Sequence, residues 1–241
     1  MAYSKAEDLR KRFYGDDSVN GTKIFYGWIR QYLRPEFVVL NLGAGHPANM
    51  SPFSSLKGLA RQVIGADLSE SVLRNPDLDR AIVADGCRLP FPSGHFDLVL
   101  SDYTLEHVGN PISFLAEAAR VLKPNGSFFF RTPNRYHYTA WVTQWIPFRL
   151  HRALANWAQG FSESPYERFP AFYRLNTRKK ILSLYRQTGF KNAEVRLLET
   201  EPTYLVFHPI PFFLGVAYER LVNHFKLFEN LRVNIMGRLE R

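Results

Sequence analysis

The chain has 241 residues, 46% of them hydrophobic, one cysteine (Cys87) and a formal net charge of +9. That apolar content supports a sizeable core and excludes wholesale disorder. The lone thiol excludes an internal disulfide and points to a reducing, cytoplasmic setting, and no charge-free apolar run reaches the ~18–20 residues of a membrane-spanning helix.

Residues 5–34 read as helical, with Ile24, Trp28, Ile29 and Leu33 at helical spacing until Pro35 breaks the pattern. The start, with Lys5, Glu7, Asp8, Arg10, Lys11 and Arg12, has no apolar signal region. Phe37 to Leu42 is a first buried strand, running into the turn Gly43-Ala44-Gly45-His46-Pro47, where Pro47 opens a short helix. Val63 to Asp67 is a second strand, and Ser69 caps the short helix after it, with Glu70 in the first turn. Ala81 to Asp85 and Phe96 to Ser101 are the third and fourth strands. Asn110-Pro111 caps and opens a helix through Leu122, with Ile112, Leu115, Ala119 and Leu122 on its apolar face. The turn Lys123-Pro124-Asn125-Gly126 ends it, and Ser127 to Arg131 is a fifth strand.

After Arg131 the texture changes. Residues 136–173 are dense in aromatics, from Tyr136 and Tyr138 to Phe172 and Tyr173, and read as an inserted cap, helical from Ala140 to Ala158. Asn176 caps a helix running to Thr188 and stopped by Gly189. Ala193–Leu198 and Thr203–Phe207 are short strand candidates, and a last helix runs from Val216 towards the C-terminus. The domain boundaries expected are 1–135 for an N-terminal helix and α/β core, 136–174 for the cap, and 175–241 for the end of the sheet and a basic helical region. The charge excess sits wholly in residues 131–241, with 17 basic and 8 acidic side chains against 14 of each in residues 1–130. That asymmetry fits either a generically basic surface or an anionic partner.

Strands alternating with helices at this spacing imply a parallel sheet with helices on both faces. Ligands of such sheets bind beyond the carboxyl ends of the strands, where Asn41–His46, Asp67, Asp85 and Ser101–His107 all fall. A glycine turn after a buried strand lets backbone approach a ligand closely, and an acid on the next strand can grip a ribose diol. The seven histidines show no close pairing with cysteine of the kind zinc sites use, and no Gly-x-Ser-x-Gly elbow of a hydrolase is present.

In combination and order these residues resemble the class I S-adenosylmethionine-dependent methyltransferases, specifically the type 11 group. Val39-Leu40-Asn41-Leu42-Gly43-Ala44-Gly45 is similar to the first motif of the family. Gly65-Ala66-Asp67-Leu68-Ser69 resembles the second. Asp85 to Phe91, Phe96-Asp97-Leu98-Val99, Leu105-Glu106-His107-Val108, Ala119 to Gly126 and Thr132-Pro133-Asn134 resemble those that follow. Two positions depart from the pattern: Asn41 stands where the family usually has Asp, and His46-Pro47 where it often has Thr-Gly.

The resemblance implies a Rossmann-like, mainly parallel seven-stranded sheet with helices on both faces, completed here by an aromatic-rich helical insertion and C-terminal cap. It implies S-adenosyl-L-methionine as cofactor, contacted by Asn41, Gly43, Ala44, Gly45, Asp67, Leu68, Asp85, Gly86 and Ser101, with no metal. Asp67 would hold the ribose hydroxyls and Asp85 with Gly86 the adenine side. His107 is the first candidate general base and Glu106 the second, with a structural role the alternative for each. Asp102, Tyr103, Tyr136 and His137 are candidates for ligand contact. The expected reaction is methyl transfer to an oxygen of a sugar, lipid-linked or other small acceptor. Alternatives are a quinone or other small-molecule methyltransferase, and a non-catalytic cofactor- or RNA-binding protein, although nucleic acid is the less expected partner. The uncharged stretch 202–218 either packs on the sheet or touches the inner membrane face.

Overall fold

The computed structural model describes residues 2–15, 18–45, 53–140 and 169–241. They fall into two compact units. The larger draws on 25–45, 53–133, 169–196 and 235–241, the smaller on 2–15, 18–24, 134–140 and 197–234.

The larger unit is built on a seven-stranded sheet. In chain order the strands are β1 (Val38–Leu42), β2 (Gln62–Asp67), β3 (Arg80–Val83), β4 (Phe96–Asp102), β5 (Leu122–Pro133), β6 (Asn192–Leu198) and β7 (Asn234–Glu240), and in space they lie in the order β3-β2-β1-β4-β5-β7-β6. β1 to β5 pair in parallel. β7 runs antiparallel between β5 and β6: Asn125 N–H donates to the Arg241 carbonyl at one end of β5, Asn134 N–H to the Val233 carbonyl at the other, and Lys191 N–H to the Glu240 carbonyl. The sheet is therefore Rossmann-like and mainly parallel, as the alternation of elements and the family resemblance lead one to expect.

Near-continuous apolar strands make the two-faced core. Val39, Leu40 and Leu42 of β1, and Leu98, Val99 and Leu100 of β4, are almost wholly buried, as parallel strands covered on both sides require. Phe128, Phe129 and Phe130 of β5 show the alternation directly. Phe129 meets Trp28 of helix α2 (Gly21–Arg30) edge-on at 5.3 Å, while Phe128 meets Phe114 of helix α3 (Pro111–Val121) at 6.3 Å and Phe190 at 6.2 Å. The two helices thus lie on opposite faces. Asn110 caps α3, its side chain accepting from Ser113 N–H with Pro111 in the first turn. In the smaller unit, helix α1 (Ala2–Tyr14) packs with helix α5 (Pro209–His224), and Tyr14, Val206, Phe212 and Val216 form the buried cluster.

Several expectations are corrected. The helix expected over 5–34 is two helices. At Gly15 a Cβ would collide with the Lys11 carbonyl, and the Asn20 side chain accepts the N–H groups of Thr22 and Lys23 to start α2 afresh. Ile112 is exposed, and α3 buries Phe114, Leu115, Ala118, Ala119 and Val121 instead. Lys123–Gly126 does not separate helix from strand but lies within β5, with Asn125 at φ 64°. The cap of helix α4 (Arg178–Leu184) is Thr177, which accepts from Lys180 N–H, and Asn176 is turned inward. Gly189, at φ 98°, does end this segment, after a 3-10 turn over Arg186–Thr188.

Thr203–Leu205 is a 3-10 turn rather than a strand, set by Pro202 before it. The last helix starts at Pro209, capped by the His208 side chain, and the chain finishes on β7, not on a helix. A proline at the first helical position masked that start. The helices expected at Pro47 and over 140–158 fall mostly or wholly outside the described residues.

Gly237 of β7 has no room for a side chain, because a Cβ there would lie inside the Phe130 ring. Gly237→Ala is expected to destabilise the fold by about 1–3 kcal/mol through overpacking. An unchanged urea midpoint would contradict this.

Candidate active site

The carboxyl ends of the parallel strands bring the expected residues into register: Asn41 of β1 pairs with Gly65 of β2 and Leu100 of β4, and Asp67 of β2 with Val83 of β3. The turn after β1 is held from three sides. Gly43 N–H donates to the Ala66 carbonyl at 2.8 Å, and Asn75 Nδ2 donates to the carbonyls of Ala44 and Gly45 at 2.9 and 3.3 Å. Gly43 and Gly45 sit at φ 75° and 38°, a region that favours glycine. A Cβ on Gly43 would also strike the Thr104 side chain, so the loop after β4 packs against the turn after β1.

Asp67 joins two loops. One carboxylate oxygen accepts Gly45 N–H at 2.8 Å and the other accepts Ser69 N–H at 2.8 Å. An ionised carboxylate offers about four acceptor positions, so both oxygens retain capacity for a diol. Ser69 caps the 3-10 helix Glu70–Arg74, as its sequence position indicates. Leu68, beside Asp67, is 59% exposed, an apolar side chain left open to a ligand. After β3, Asp85 is exposed and accepts Cys87 N–H at 2.8 Å. A Cβ on Gly86 would lie 2.6 Å from the Phe114 ring. Burial, with the Asp85 charge, pushes the Cys87 thiol up to about 11.

At the end of β4, Ser101 is fully buried, with its hydroxyl unpartnered among the described residues. Asp102 and Arg131 form a two-pronged ion pair at 2.6 and 2.7 Å. Sequence reading singled out Asp102 but not its partner. The Arg131 guanidinium carbon lies over the rings of Phe25 and Tyr103, 5.4 and 4.6 Å from their centroids. Tyr103 has the left-handed φ of 54°, and burial together with the neighbouring Asp102 carboxylate raises the Tyr26 hydroxyl pKa.

The two candidate bases differ sharply. Glu106 is buried and accepts Thr132 Oγ1–H at 3.0 Å, while Asn176 Nδ2 donates to Thr132 Oγ1 at 2.7 Å. Burial raises its pKa, against hydrogen bonds and the neighbouring His107 that lower it. His107 is half-buried, with Nδ1 3.1 Å from the Pro170 carbonyl. A proton on Nδ1 donating to that carbonyl leaves the Nε2 lone pair to accept. The main chain of Glu106 is fixed too, its carbonyl accepting Phe172 N–H and Tyr173 N–H. The chain chemistry of Thr132 and Asn176 was missed because each reads as an ordinary turn or cap residue.

Of the remaining candidates, His46 and Pro47 lie outside the described residues. His137 belongs to the smaller unit, 1% exposed, with Nδ1 2.7 Å from Thr139 Oγ1 and Nε2 3.5 Å from Glu199 Oε1. Tyr136 is exposed in the same unit. Among the described residues no group of three or more His, Cys, Asp or Glu side chains could hold a metal ion.

A family model described as a methyltransferase domain matches residues 40–130, the segment that carries all of these strand ends. The ubiquinone/menaquinone biosynthesis C-methyltransferase UbiE of Shewanella pealeana is 36% identical over 103 residues, 39% of this chain and 41% of that protein. Its counterpart from Ectopseudomonas oleovorans is 37% identical over 98 residues, 36% of this chain and 58% of that protein. The chain therefore covers less than two thirds of the length of these relatives. The fold is that of a solved S-adenosylmethionine-dependent methyltransferase from Mesorhizobium loti, with a TM-score of 0.55 at 18% identity over 93% of this chain and 100% of the other. One from Aquifex aeolicus gives 0.52 at 13% identity over 100% and 98%. Fold and glycine turn together thus define a methyltransferase-type Rossmann-like domain. Residues 40–130 match a methyltransferase-domain family, and the fold resembles that of S-adenosylmethionine-dependent methyltransferases.

The raised Glu106 pKa has a sign that can be checked. The folded chain favours the protonated carboxyl, so stability is fullest below the ordinary carboxylate range and falls as pH rises through the elevated folded value. Glu106→Gln, which keeps an acceptor for Thr132, is expected to gain thermal stability relative to wild type as pH is raised from 4 to 8. A constant difference across that range would show that no such shift exists.

Proposed function

We propose that the protein transfers the methyl group of S-adenosylmethionine to an oxygen of a small-molecule acceptor, a sugar or lipid-linked intermediate. The observation that carries the cofactor reading is the Asp67 carboxylate, pinned through one lone pair on each oxygen by Gly45 and Ser69 with further capacity unspent. Two ribose hydroxyls are the natural donors for that capacity. Leu68 then flanks the adenine, Asp85 and Gly86 meet its edge, and Asn41, Gly43, Ala44 and Ser101 surround the methionyl part. Asn41 can hydrogen-bond there but brings no charge, so attraction to the cationic donor is weaker than an acid would give.

The sulfonium is already an activated donor. The chain's own contribution is to align acceptor oxygen, methyl carbon and sulfur, which can lower the barrier by several kcal/mol. When bound, S-adenosylmethionine would supply the methyl group, the acceptor oxygen taking the carbon as the carbon–sulfur bond breaks and a neutral thioether leaves. The acceptor proton passes to Nε2 of His107, whose ring is oriented through Nδ1 and the Pro170 carbonyl. Glu106, buried and hydrogen-bonded to Thr132, sets the loop from which His107 projects.

A second reading has support of its own. The relatives named as quinone C-methyltransferases favour a ring carbon of a quinone as acceptor, although their similarity covers only 39% and 36% of this chain. The location of the methyl group in the product separates the two, since an O-methyl and a ring C-methyl have distinct carbon shifts in a transfer from 13C-labelled donor.

Calorimetric titration with S-adenosylmethionine is expected to show binding that weakens about 10–100-fold in Asp67→Asn, the loss of charge-assisted hydrogen bonds. Undiminished affinity would remove Asp67 from the ribose, and absence of binding at millimolar cofactor would remove the transferase reading. His107→Ala is expected to lower kcat by roughly 100-fold or more with cofactor affinity unchanged. A wild-type rate would leave His107 a structural role only.

A further inference from the structure

Helix α5 of the smaller unit is apolar on two faces. Phe212, Gly215, Val216, Glu219 and Val222 are buried. At about 100° per residue, Ile210, Leu214, Ala217 and Leu221 fall on the opposite side, with Phe213 at their margin. That side is open: Ile210 is 66% exposed, Leu214 67%, Phe213 46% and Leu221 44%. A surface helix ordinarily turns charged and polar residues outward, and one apolar all round belongs in a covered environment. The patch continues beyond the helix. The Phe13 ring of α1 lies 5.8 Å from that of Phe213, and Phe225 and Leu227 are 49% and 84% exposed.

The rim of this patch is basic. Lys11 and Arg12 are exposed in the last turn of α1, directly before Phe13. Arg220 is exposed at the edge of the α5 stripe, and Lys226 is exposed between Phe225 and Leu227. Of the neighbouring acids, Asp8 of α1 is exposed, and Glu219 of α5 lies 3.3 Å from Arg220 Nε. Glu219 is buried, accepting from Tyr14 Oη and Asn223 Nδ2, and Glu201 is paired with Arg10 at 2.9 Å. No helix among the described residues is long and apolar enough to cross a membrane.

We infer that the α5 face docks on an anionic membrane surface, with α5 lying in the interfacial plane. Its apolar stripe sinks among the acyl chains while Lys11, Arg12, Arg220 and Lys226 meet the anionic headgroups, the combination that holds interfacial helices. A second copy of the chain is the poorer occupant, because a two-fold contact would set the same basic rim against itself.

The test is flotation of the full chain with vesicles, without cofactor or acceptor, so its outcome is independent of the transfer reading. Binding is expected to vesicles containing phosphatidylglycerol, weaker to pure phosphatidylcholine, and loosened by salt. The double variant Ile210→Glu/Leu214→Glu is expected to reduce binding roughly tenfold or more, as is Lys11→Glu/Arg12→Glu. Both pairs are at exposed positions or the end of a helix, and circular dichroism verifies that the fold is kept. Failure of wild type to float, or binding that the glutamates leave unchanged, overturns the inference. So does a dimer in light scattering that Leu214→Glu dissociates, which would assign the face to self-association.

Discussion

The candidate site depends on a single carboxylate. Asp67 ends β2, and its two oxygens tie down the N–H of Gly45 from the preceding loop and of Ser69 from its own. Because β1 and β2 are parallel and in register from Val38–Gln62 to Leu42–Ala66, their ends arrive together, and one acid can reach both turns. The turn after β1 is then closed from the other side by Thr104, whose side chain fills the space that a Cβ on Gly43 would need. Three loops are therefore set by one anion and one missing methyl group. Fixed backbone around an open acceptor is what a rigid ligand site requires, since groups ordered before binding lose little entropy in it.

A second constraint holds the loop after β4. The Asp102–Arg131 pair joins β4 to β5 at residues that are already in register. A buried ion pair adds little net stability against an apolar substitute, but loss of one partner strands the other. The guanidinium also lies over the rings of Phe25 and Tyr103, so geometry here is specified more tightly than stability demands. Tyr103 itself adopts a left-handed conformation, and Glu106 and His107 lie three and four residues further on. The strained residue and the two candidate bases thus share one short, heavily constrained segment. Local strain that is over-determined by its surroundings is a common feature of functional segments.

Most of the sheet was legible because its strands are short apolar runs bounded by glycine, proline or acid. β1, β2 and β4 are read within a residue or two. Asp67, Asp85 and the Ser101–His107 stretch follow from the strand ends alone. The misreadings have physical causes. β7 was overlooked because Asn234, Gly237 and Arg238 break its apolar pattern, yet Gly237 is what admits the Phe130 ring. Asn176 looked like a cap because caps and buried amides use the same side chain, and only tertiary structure shows it donating to Thr132 and Pro133. Arg131 gave no signal either, since nothing local marks an arginine whose partner is 29 residues away.

The similarity to known methyltransferases and the charge asymmetry divide the chain at nearly the same place. Residues 40–130 match the family model and lie within a stretch with balanced charge, whereas residues 131–241 hold the whole positive excess. A shared donor imposes the same ribose, adenine and sulfonium on every member, so the segment that meets it is constrained to one geometry. Acceptors share no such chemistry, and the segments that meet them are free to diverge in sequence and surface. The outward apolar stripe of α5 lies outside the matched segment. It is costly in water, and a helix that buries Phe212 and Val216 already has its structural face. The proposed membrane contact would account for the second face, which the fold itself does not use.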